Sequence, residues 1–186
     1  MTSAGSVEGR DHLRLFCALR LPDDVLAALK RWQGDHLRDG RIVPSDHLHL
    51  TLAFLGRRPA TELAAIGGAL REAARDAGEI VFTPKGYRET RSVGMLVLEE
   101  STDEAGRLAE RLFDGLEGLG VYQREQRPWL PHVTVLRFRA RPKLEPPMPK
   151  LGMFSPSDAA VYISRLRPSG AQYDVLESVP LGGDGQ

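Results

Sequence analysis

The sequence has one cysteine, no net charge and no long apolar run, and each of these absences narrows the class of protein. Among 186 residues Cys17 is the only cysteine, which excludes an intramolecular disulfide and a metal site built from several cysteines and agrees with a reducing compartment. Lysine and arginine number 25, and aspartate and glutamate also number 25. Because no global charge draws the protein to nucleic acid or membrane, any basic site must be local.

Signals for targeting and for nucleotide cofactors are also missing. The start, MTSAGSVEGRD, lacks the basic residues and the apolar core of a signal peptide, and no uninterrupted run of about 18 apolar residues is available to span a bilayer. Neither a Walker-type Gly-x4-Gly-Lys motif nor a dinucleotide glycine fingerprint occurs. We therefore expect a cytoplasmic protein with no membrane contact and no cofactor.

What the sequence contains is a repeated order of strand, helix and histidine-bearing strand. Alternating apolar residues predict strands, and apolar residues at helical spacing predict helices. The strands are predicted over 13–21, 48–55, 80–83, 93–99, 131–138, 159–166 and 173–179, and the helices over 22–37, 61–76 and 101–120. From Phe16 to His49 there are 33 residues, and from Leu96 to His132 there are 36. The nearly equal spacing indicates two related halves.

This order of elements predicts an α+β fold, because strands and helices interleave without a strict parallel rhythm. We expect two pseudo-symmetric lobes, each a mainly antiparallel sheet with outer helices, and an active-site cleft between them. A single bilobal domain is expected over residues 13–180, with a flexible leader over 1–12 and a flexible tail over 181–186. The third helix is expected to begin with a capping box formed by Ser101 and Glu104.

Two of the predicted strands share the pattern His-x-Thr. His49 and Thr51 project on one face of their strand, about 7 Å apart, and His132 and Thr134 do the same. On the reverse face of the first strand we expect a row of core residues, Leu48, Leu50, Leu52 and Phe54. A single strand histidine is usually a hydrogen-bonded or solvated residue. Two copies at matched positions of a repeat indicate a shared functional cleft.

Four stretches give the chain its resemblance to a known family. They are RLFCAL (residues 14–19), HLTLAFLG (49–56), RPWLPHVTVLR (127–137) and, more loosely, SRLRPSGAQYDVL (164–176). Together they resemble the 2H phosphoesterase superfamily, and within it the bacterial and archaeal RNA 2',3'-cyclic phosphodiesterases, historically called 2'-5' RNA ligases. Val135 stands where leucine is usual and Trp129 where phenylalanine is common. These departures bear on substrate preference more than on chemistry.

The resemblance implies a reaction and roles for five residues. The reaction is metal-independent hydrolysis of RNA 2',3'-cyclic phosphate ends to 2'-phosphomonoesters, with 2'-5' ligation as a reversal of the same transfer. His49 would be the general acid and His132 the general base, since imidazole exchanges protons near neutral pH. Thr51, Thr134 and Arg137 would bind the phosphate. No metal is expected.

The second motif also lies in a locally basic stretch, residues 121–143. It holds one acid, Glu125, and six basic residues: Arg124, Arg127, Arg137, Arg139, Arg141 and Lys143. Such a stretch can follow an RNA backbone, so Arg127 and the aromatic Trp129 are candidate RNA contacts. Arg137 presents a difficulty, because strict alternation places it on the face opposite His132. A twist or a bulge is needed to bring it to the phosphate.

Two further hypotheses remain open. The chain could be a non-catalytic RNA-binding module, or a phosphodiesterase for another small cyclic phosphate such as ADP-ribose 1'',2''-cyclic phosphate. His47 shares the predicted face of His49, but no acidic or cysteine partner lies at ligand spacing, so we expect it at the rim of the cleft. The expected partners are RNA with 2',3'-cyclic phosphate ends or small cyclic nucleotides. The protein is expected to be a monomer.

Overall fold

The computed structural model describes residues 11–182, so most of the expected leader (1–12) and tail (181–186) lies outside the described part of the chain. The strands are β1 (His12–Arg20), β2 (Arg41–Ile42), β3 (His49–Pro59), β4 (Phe82–Glu89), β5 (Val93–Glu100), β6 (His132–Arg137), β7 (Asp158–Arg167) and β8 (Gly170–Val179). The helices are α1 (Asp23–His36), α2 (Leu63–Arg75) and α3 (Glu104–Gly118), and two short 3-10 helices span Ser45–His47 and Ala60–Glu62.

Two four-stranded antiparallel sheets form the two lobes. The strand order is β3-β1-β7-β8 in the first sheet and β2-β6-β5-β4 in the second. In each sheet the histidine strand pairs with the strand that opens its repeat, β3 with β1 and β6 with β5. The predicted α+β class, with two mainly antiparallel lobes and outer helices, is therefore confirmed.

The three helices cover the core sides of these sheets. α2 lies against β7 and β8 and packs on α3, whereas α1 reaches the second sheet. Gln33 of α1 is the only buried polar residue within 11–182. Its Nε2 donates to the carbonyls of Val43 and Val135, at 3.0 and 2.9 Å. This one side chain therefore ties α1 to β6 and to the residue that follows β2.

The core faces of the strands are aliphatic, as β1 illustrates. Leu15, Cys17 and Leu19 are fully buried, and burial raises the pKa of the Cys17 thiol to about 12. Burying each leucine stabilises the fold by about 1.5–3 kcal/mol. The alternate residues, Arg14 and Phe16, point to the opposite face of the sheet. None of the helices in the described part of the chain is long and apolar enough to cross a membrane.

Two local predictions from the sequence were wrong. The strand predicted over 80–83 begins at Phe82 and continues to Glu89 through Pro84 and Gly86. These two residues are weak strand formers that hide the pattern, and the register slips between them.

The capping box is the second local error. Ser101 and Glu104 do not cap α3. Instead a Glu100 carboxylate accepts the N–H groups of Ala105 and Gly106, while Glu104 accepts the N–H of Gly78. The carboxylate at the end of β5 therefore caps the helix that follows it.

Candidate active site

Both His-x-Thr pairs line one cleft between the two sheets. The cleft has a volume of about 210 Å³ and receives His49 and Thr51 from β3 and His132 and Thr134 from β6. Within residues 11–182, no aspartate or glutamate lines it. Two imidazoles, two hydroxyls and the guanidinium of Arg137 therefore share a space with no carboxylate, which suits an anion.

A bulge in β6 turns Arg137 into this cleft. Gly94 pairs with Leu136 and Met95 with Thr134, so Val135 has no partner in β5. The extra residue reverses the alternation of side chains along the strand. As a result Val135 and Leu136 are both buried, and Arg137 is exposed on the cleft side. The bulge that the sequence required for Arg137 is present.

The same irregularity in β3 overturns the prediction for Phe54. Cys17 pairs with Ala53 and Ala18 with Thr51, which leaves Leu52 without a partner in β1. Phe54 was predicted to lie in the core, but it is 50% exposed and lines the cleft. The prediction was wrong because it assumed unbroken alternation.

His49 is the more enclosed of the two histidines. Its ring stacks on Phe16, with centroids 4.9 Å apart, and its Nε2 lies 3.1 Å from Thr51 Oγ1. Its Nδ1 is buried without a well-formed hydrogen bond to any described residue. Burial lowers the pKa of His49 to about 4, although a backbone contact with His47 opposes the shift.

The charges around His49 act in the same direction as its burial. Positive charge at His47, Arg137 and His132 lowers the pKa of His49 further. Both effects favour the neutral form of His49, and a negative charge bound beside it would favour the imidazolium instead.

His132 is held in a different way. Its Nδ1 lies 2.8 Å from the carbonyl oxygen of Leu130, and a carbonyl can only accept a hydrogen bond, so Nδ1 carries the proton. In the neutral ring Nε2 then has a free lone pair. This tautomer allows His132 to accept a proton inside the cleft.

Several residues of the cleft wall were not singled out from the sequence. They are Arg14, Phe16, Val43, Ser164 and Tyr173. All but Val43 lie in the stretches 14–19 and 164–176 that carry the family resemblance, so alternation along those strands was an available signal for Arg14 and Phe16. His47, expected at the rim, ends a 3-10 helix, lines the cleft and stacks on Tyr173 with centroids 4.3 Å apart.

The basic stretch 121–143 carries less free charge than its sequence indicates. Three of its six basic residues make ion pairs. Arg124 pairs with Glu110, Asp114 and Glu117 of α3. Arg127 pairs with Glu125, and Arg141 pairs with Glu89. The partner of Arg141 comes from a distant part of the sequence, 52 residues earlier, whereas those of Arg124 lie just before the stretch, in α3. Contact of Arg127 with RNA stays a prediction.

Trp129 links the two lobes. Its indole Nε1–H donates to the carbonyl of Thr51 at 3.0 Å, and its ring packs against the core. Because Trp129 precedes His132 by three residues, this bond joins the second histidine segment to the first His-x-Thr strand. These contacts indicate a structural role for Trp129. Stacking of an RNA base on this residue stays a prediction.

No group of three or more histidine, cysteine, aspartate or glutamate side chains within residues 11–182 is arranged to hold a metal ion.

Comparison with known proteins agrees with this architecture. The family model of the 2'-5' RNA ligase superfamily matches residues 21–167. A protein of Thermus thermophilus named RNA 2',3'-cyclic phosphodiesterase is 34% identical over 193 aligned positions, covering 92% of each chain. An Escherichia coli protein of the same name is 27% identical and covers 88% of this chain and 94% of its own.

Solved structures give the same result. The crystal structure of Escherichia coli LigT complexed with NADP+ superimposes with a TM-score of 0.80 and 27% identity, covering 92% of this chain and 99% of that one. The chain therefore belongs to the 2'-5' RNA ligase superfamily, the 2H phosphoesterases. The resemblance drawn from the four sequence stretches is confirmed.

Proposed function

We propose that the protein hydrolyses the 2',3'-cyclic phosphate at RNA ends to a 2'-phosphomonoester, using His49 and His132 and no metal ion. Two relatives that match most of the chain are named RNA 2',3'-cyclic phosphodiesterase, which supports a cyclic phosphodiesterase activity. The single observation that carries the proposal is the meeting of both His-x-Thr pairs in one cleft without a carboxylate among the described residues.

His132 is the base in this proposal. Water attacks the phosphorus atom in line with the 3'-oxygen, and Nε2 of His132 takes the proton that water loses. The hydrogen bond from Nδ1–H to the Leu130 carbonyl keeps Nε2 available for this transfer.

His49 is the acid. As the bond between phosphorus and the 3'-oxygen breaks, His49 gives its proton to that oxygen, so the products are a 3'-hydroxyl and a 2'-phosphomonoester. The lowered pKa of His49 makes its imidazolium a strong acid, and the negative charge of the bound phosphate favours its protonation. The protons on the two rings then re-equilibrate with water.

The phosphate oxygens are bound by the remaining groups of the cleft. The hydroxyls of Thr51 and Thr134 donate to the non-bridging oxygens, where negative charge grows in the transition state. Arg137 adds a charge-assisted hydrogen bond from the rim. Joining of RNA ends through a 2'-5' linkage would be the same transfer with a 5'-hydroxyl in place of water, and it needs no nucleotide.

The test is incubation with adenosine 2',3'-cyclic phosphate and with an oligonucleotide that ends in a cyclic phosphate, both with EDTA present. Phosphorus NMR then identifies the monoester formed. We expect the 2'-isomer from both substrates at an undiminished rate in EDTA. ADP-ribose 1'',2''-cyclic phosphate serves as the third substrate, because a faster turnover of that compound would assign the site to it.

Three results would contradict the proposal. Formation of the 3'-monoester would reverse the assignment of the leaving oxygen. Loss of activity in EDTA with recovery on adding a divalent cation would contradict metal independence. Salt-sensitive binding of the oligonucleotide without turnover of any substrate would support the RNA-binding module instead.

A further inference from the structure

Two arginines face each other on the first sheet next to the cleft. Arg14 of β1 is the register partner of Arg57 of β3, so their side chains project on the same face of the sheet. That face is the cleft face, because Arg14 alternates with Phe16 and both line the cleft. Both arginines are exposed.

No ion pair neutralises these two arginines within residues 11–182. Neither Arg14 nor Arg57 makes an ion pair with any residue in the described range, although the neighbouring Arg58 is bound to Glu62 at 2.7 Å. Like charges directly opposite each other in an antiparallel sheet are destabilising. Two arginines that repel each other beside an anion site are typical of a place where a second anion binds.

The Arg14 guanidinium is also held in position. Its Cζ lies 5.0 Å from the centroid of the Phe54 ring, a cation–π contact that directs the side chain along the cleft wall. The bulge at Leu52 brings Phe54 to this place. The sheet therefore presents, in order, the His-x-Thr pair, an exposed aromatic ring and two guanidinium groups.

The strand positions of the arginine pair lie at some distance from Thr51. Ala18 is the partner of Thr51, and Arg14 lies four residues earlier on β1, which corresponds to about 13 Å along the strand. Arg14 itself lines the cleft, and its Cζ lies over the Phe54 ring, so its side chain covers part of this distance. A phosphate that adjoins the one bound at Thr51 is then within reach of its guanidinium.

We propose, resting on the proposed function, that Arg14 and Arg57 bind the phosphodiester on the 5' side of the nucleotide that carries the cyclic phosphate. Phe54 supplies a stacking surface for the base between the two phosphates. The protein therefore prefers the end of an RNA chain to a cyclic mononucleoside phosphate. The occupant is RNA because each nucleotide repeats a base and a phosphate in the order in which the sheet presents an aromatic ring and cations.

The kinetic test compares two substrates that share one reacting group. The first is cytidine 2',3'-cyclic phosphate without a 5'-phosphate, and the second is a pentanucleotide that ends in the same cyclic nucleotide. Arg14→Gln should raise KM for the pentanucleotide about tenfold, several times more than for the small substrate, with similar kcat. Arg14→Lys, which keeps the charge, should recover most of the difference.

A matched control removes a charge elsewhere. Arg31 is exposed on α1 and lies outside the cleft wall. Arg31→Gln should leave both KM values unchanged. An equal rise for both substrates in Arg14→Gln, or no rise for either, would overturn the proposal.

A binding measurement tests the same contact without turnover. Fluorescence anisotropy follows the binding of a pentanucleotide with a 2'-phosphate end at several salt concentrations. Each arginine that contacts a phosphate contributes about 0.7 to the slope of log K against log salt concentration. Arg14→Gln and Arg57→Gln should each reduce the slope by about that amount, and an unchanged slope would overturn the proposal.

The two experiments separate this inference from the proposed function. If the wild-type protein hydrolyses neither substrate but the arginine variants reduce the salt slope, the proposed reaction fails and the phosphate subsite stands. If both substrates are hydrolysed and the two variants behave like Arg31→Gln, the reaction stands and the subsite fails.

Discussion

In each histidine strand the residue after the threonine is skipped by the strand that opens its repeat: Leu52 of β3 has no partner in β1, and Val135 of β6 has none in β5. The residue two positions further along therefore turns into the cleft. In β3 this residue is Phe54 and in β6 it is Arg137. The two halves share the backbone geometry but contribute an aromatic ring on one side and a cation on the other, so the backbone repeat sets the positions and the side chains set the chemistry.

The two histidines also occupy equivalent positions of the repeat, and their surroundings differ. His49 stacks on Phe16, has a lowered pKa and lacks a well-formed bond at Nδ1 within the described residues. His132 is anchored through Nδ1 on the Leu130 carbonyl. Equivalent positions in a repeat thus place two identical side chains in different environments, which is the condition for one to give a proton while the other takes one.

The largest effect is expected from removing either imidazole. His49→Ala and His132→Ala should each lower kcat by about 10²- to 10⁴-fold, because each removes one proton transfer. The double variant should lose little more than the worse single variant if the pair acts as a unit. His36→Ala, at the exposed end of α1, is the control and should retain full activity. Near-normal rates in either cleft variant would refute the two-histidine mechanism.

The next largest effect should distinguish the two residues that the bulges turn into the cleft, Arg137 and Phe54. Arg137→Gln should lower kcat/KM by about 10²-fold, since it removes a charged donor to the phosphate. Phe54→Leu, which changes the equivalent position of β3, should lower kcat/KM less than tenfold. Steady-state kinetics on one cyclic nucleotide checks both variants. Equal losses would mean that the two positions are not chemically distinct.

A smaller effect is expected from the buried residue that supports the β6 bulge. Gln33 donates to the carbonyl of Val135, the bulged residue. Gln33→Leu should lower the free energy of unfolding by about 1–3 kcal/mol, since the carbonyls of Val43 and Val135 each lose one donor. It should also lower kcat/KM about tenfold, because Arg137 lies two residues after Val135 and loses its position when the bulge shifts. Denaturant unfolding and steady-state kinetics measure the two quantities.

Leu29→Ala provides the control for stability alone. Leu29 is buried on the same helix, and its truncation should cost about 2–5 kcal/mol without touching Val135. At a temperature where both variants are folded, only Gln33→Leu should reduce kcat/KM. The same kinetics in both would assign Gln33 a purely structural role.

The smallest effect is expected at the contact between the lobes. Trp129→Phe keeps the aromatic packing but removes the hydrogen bond to the Thr51 carbonyl, which is worth about 0.5–1.5 kcal/mol. We expect a decrease in kcat of a few-fold and little change in KM, because the alignment of the two motifs is affected more than binding. An increase in KM with unchanged kcat would indicate that Trp129 contacts the substrate instead.

The sequence contained enough information for the class of fold and for the centre of the site. Apolar alternation placed both histidine strands, because β3 and β6 carry long aliphatic side chains on their core faces. The matching distances from Phe16 to His49 and from Leu96 to His132 indicated the repeat that the two sheets display. Local spacing alone put each histidine beside its threonine.

The parts that were missed depend on backbone irregularity and on distant contacts. A bulge changes which face a side chain occupies without a signature in the apolar pattern, so Phe54 was assigned to the core and the position of Arg137 was left open. The two-residue strand β2 is too short to show alternation. The ion pair of Arg141 involves Glu89, 52 residues earlier, and contacts between distant segments are not visible as local charge.

Whether the two histidines share one phosphate is tested most directly by NMR of their imidazole rings. The rings are followed against pH, with and without adenosine 2'-phosphate, and then against the concentration of adenosine 2'-phosphate at one pH. In the free protein His49 should be neutral above about pH 4 and become protonated as the pH falls through that value. The bound phosphate should raise the pKa of His49, and the signals of His49 and His132 should shift with one common Kd. A response from only one ring, or two different Kd values, would show that the histidines do not share a phosphate and would contradict the account.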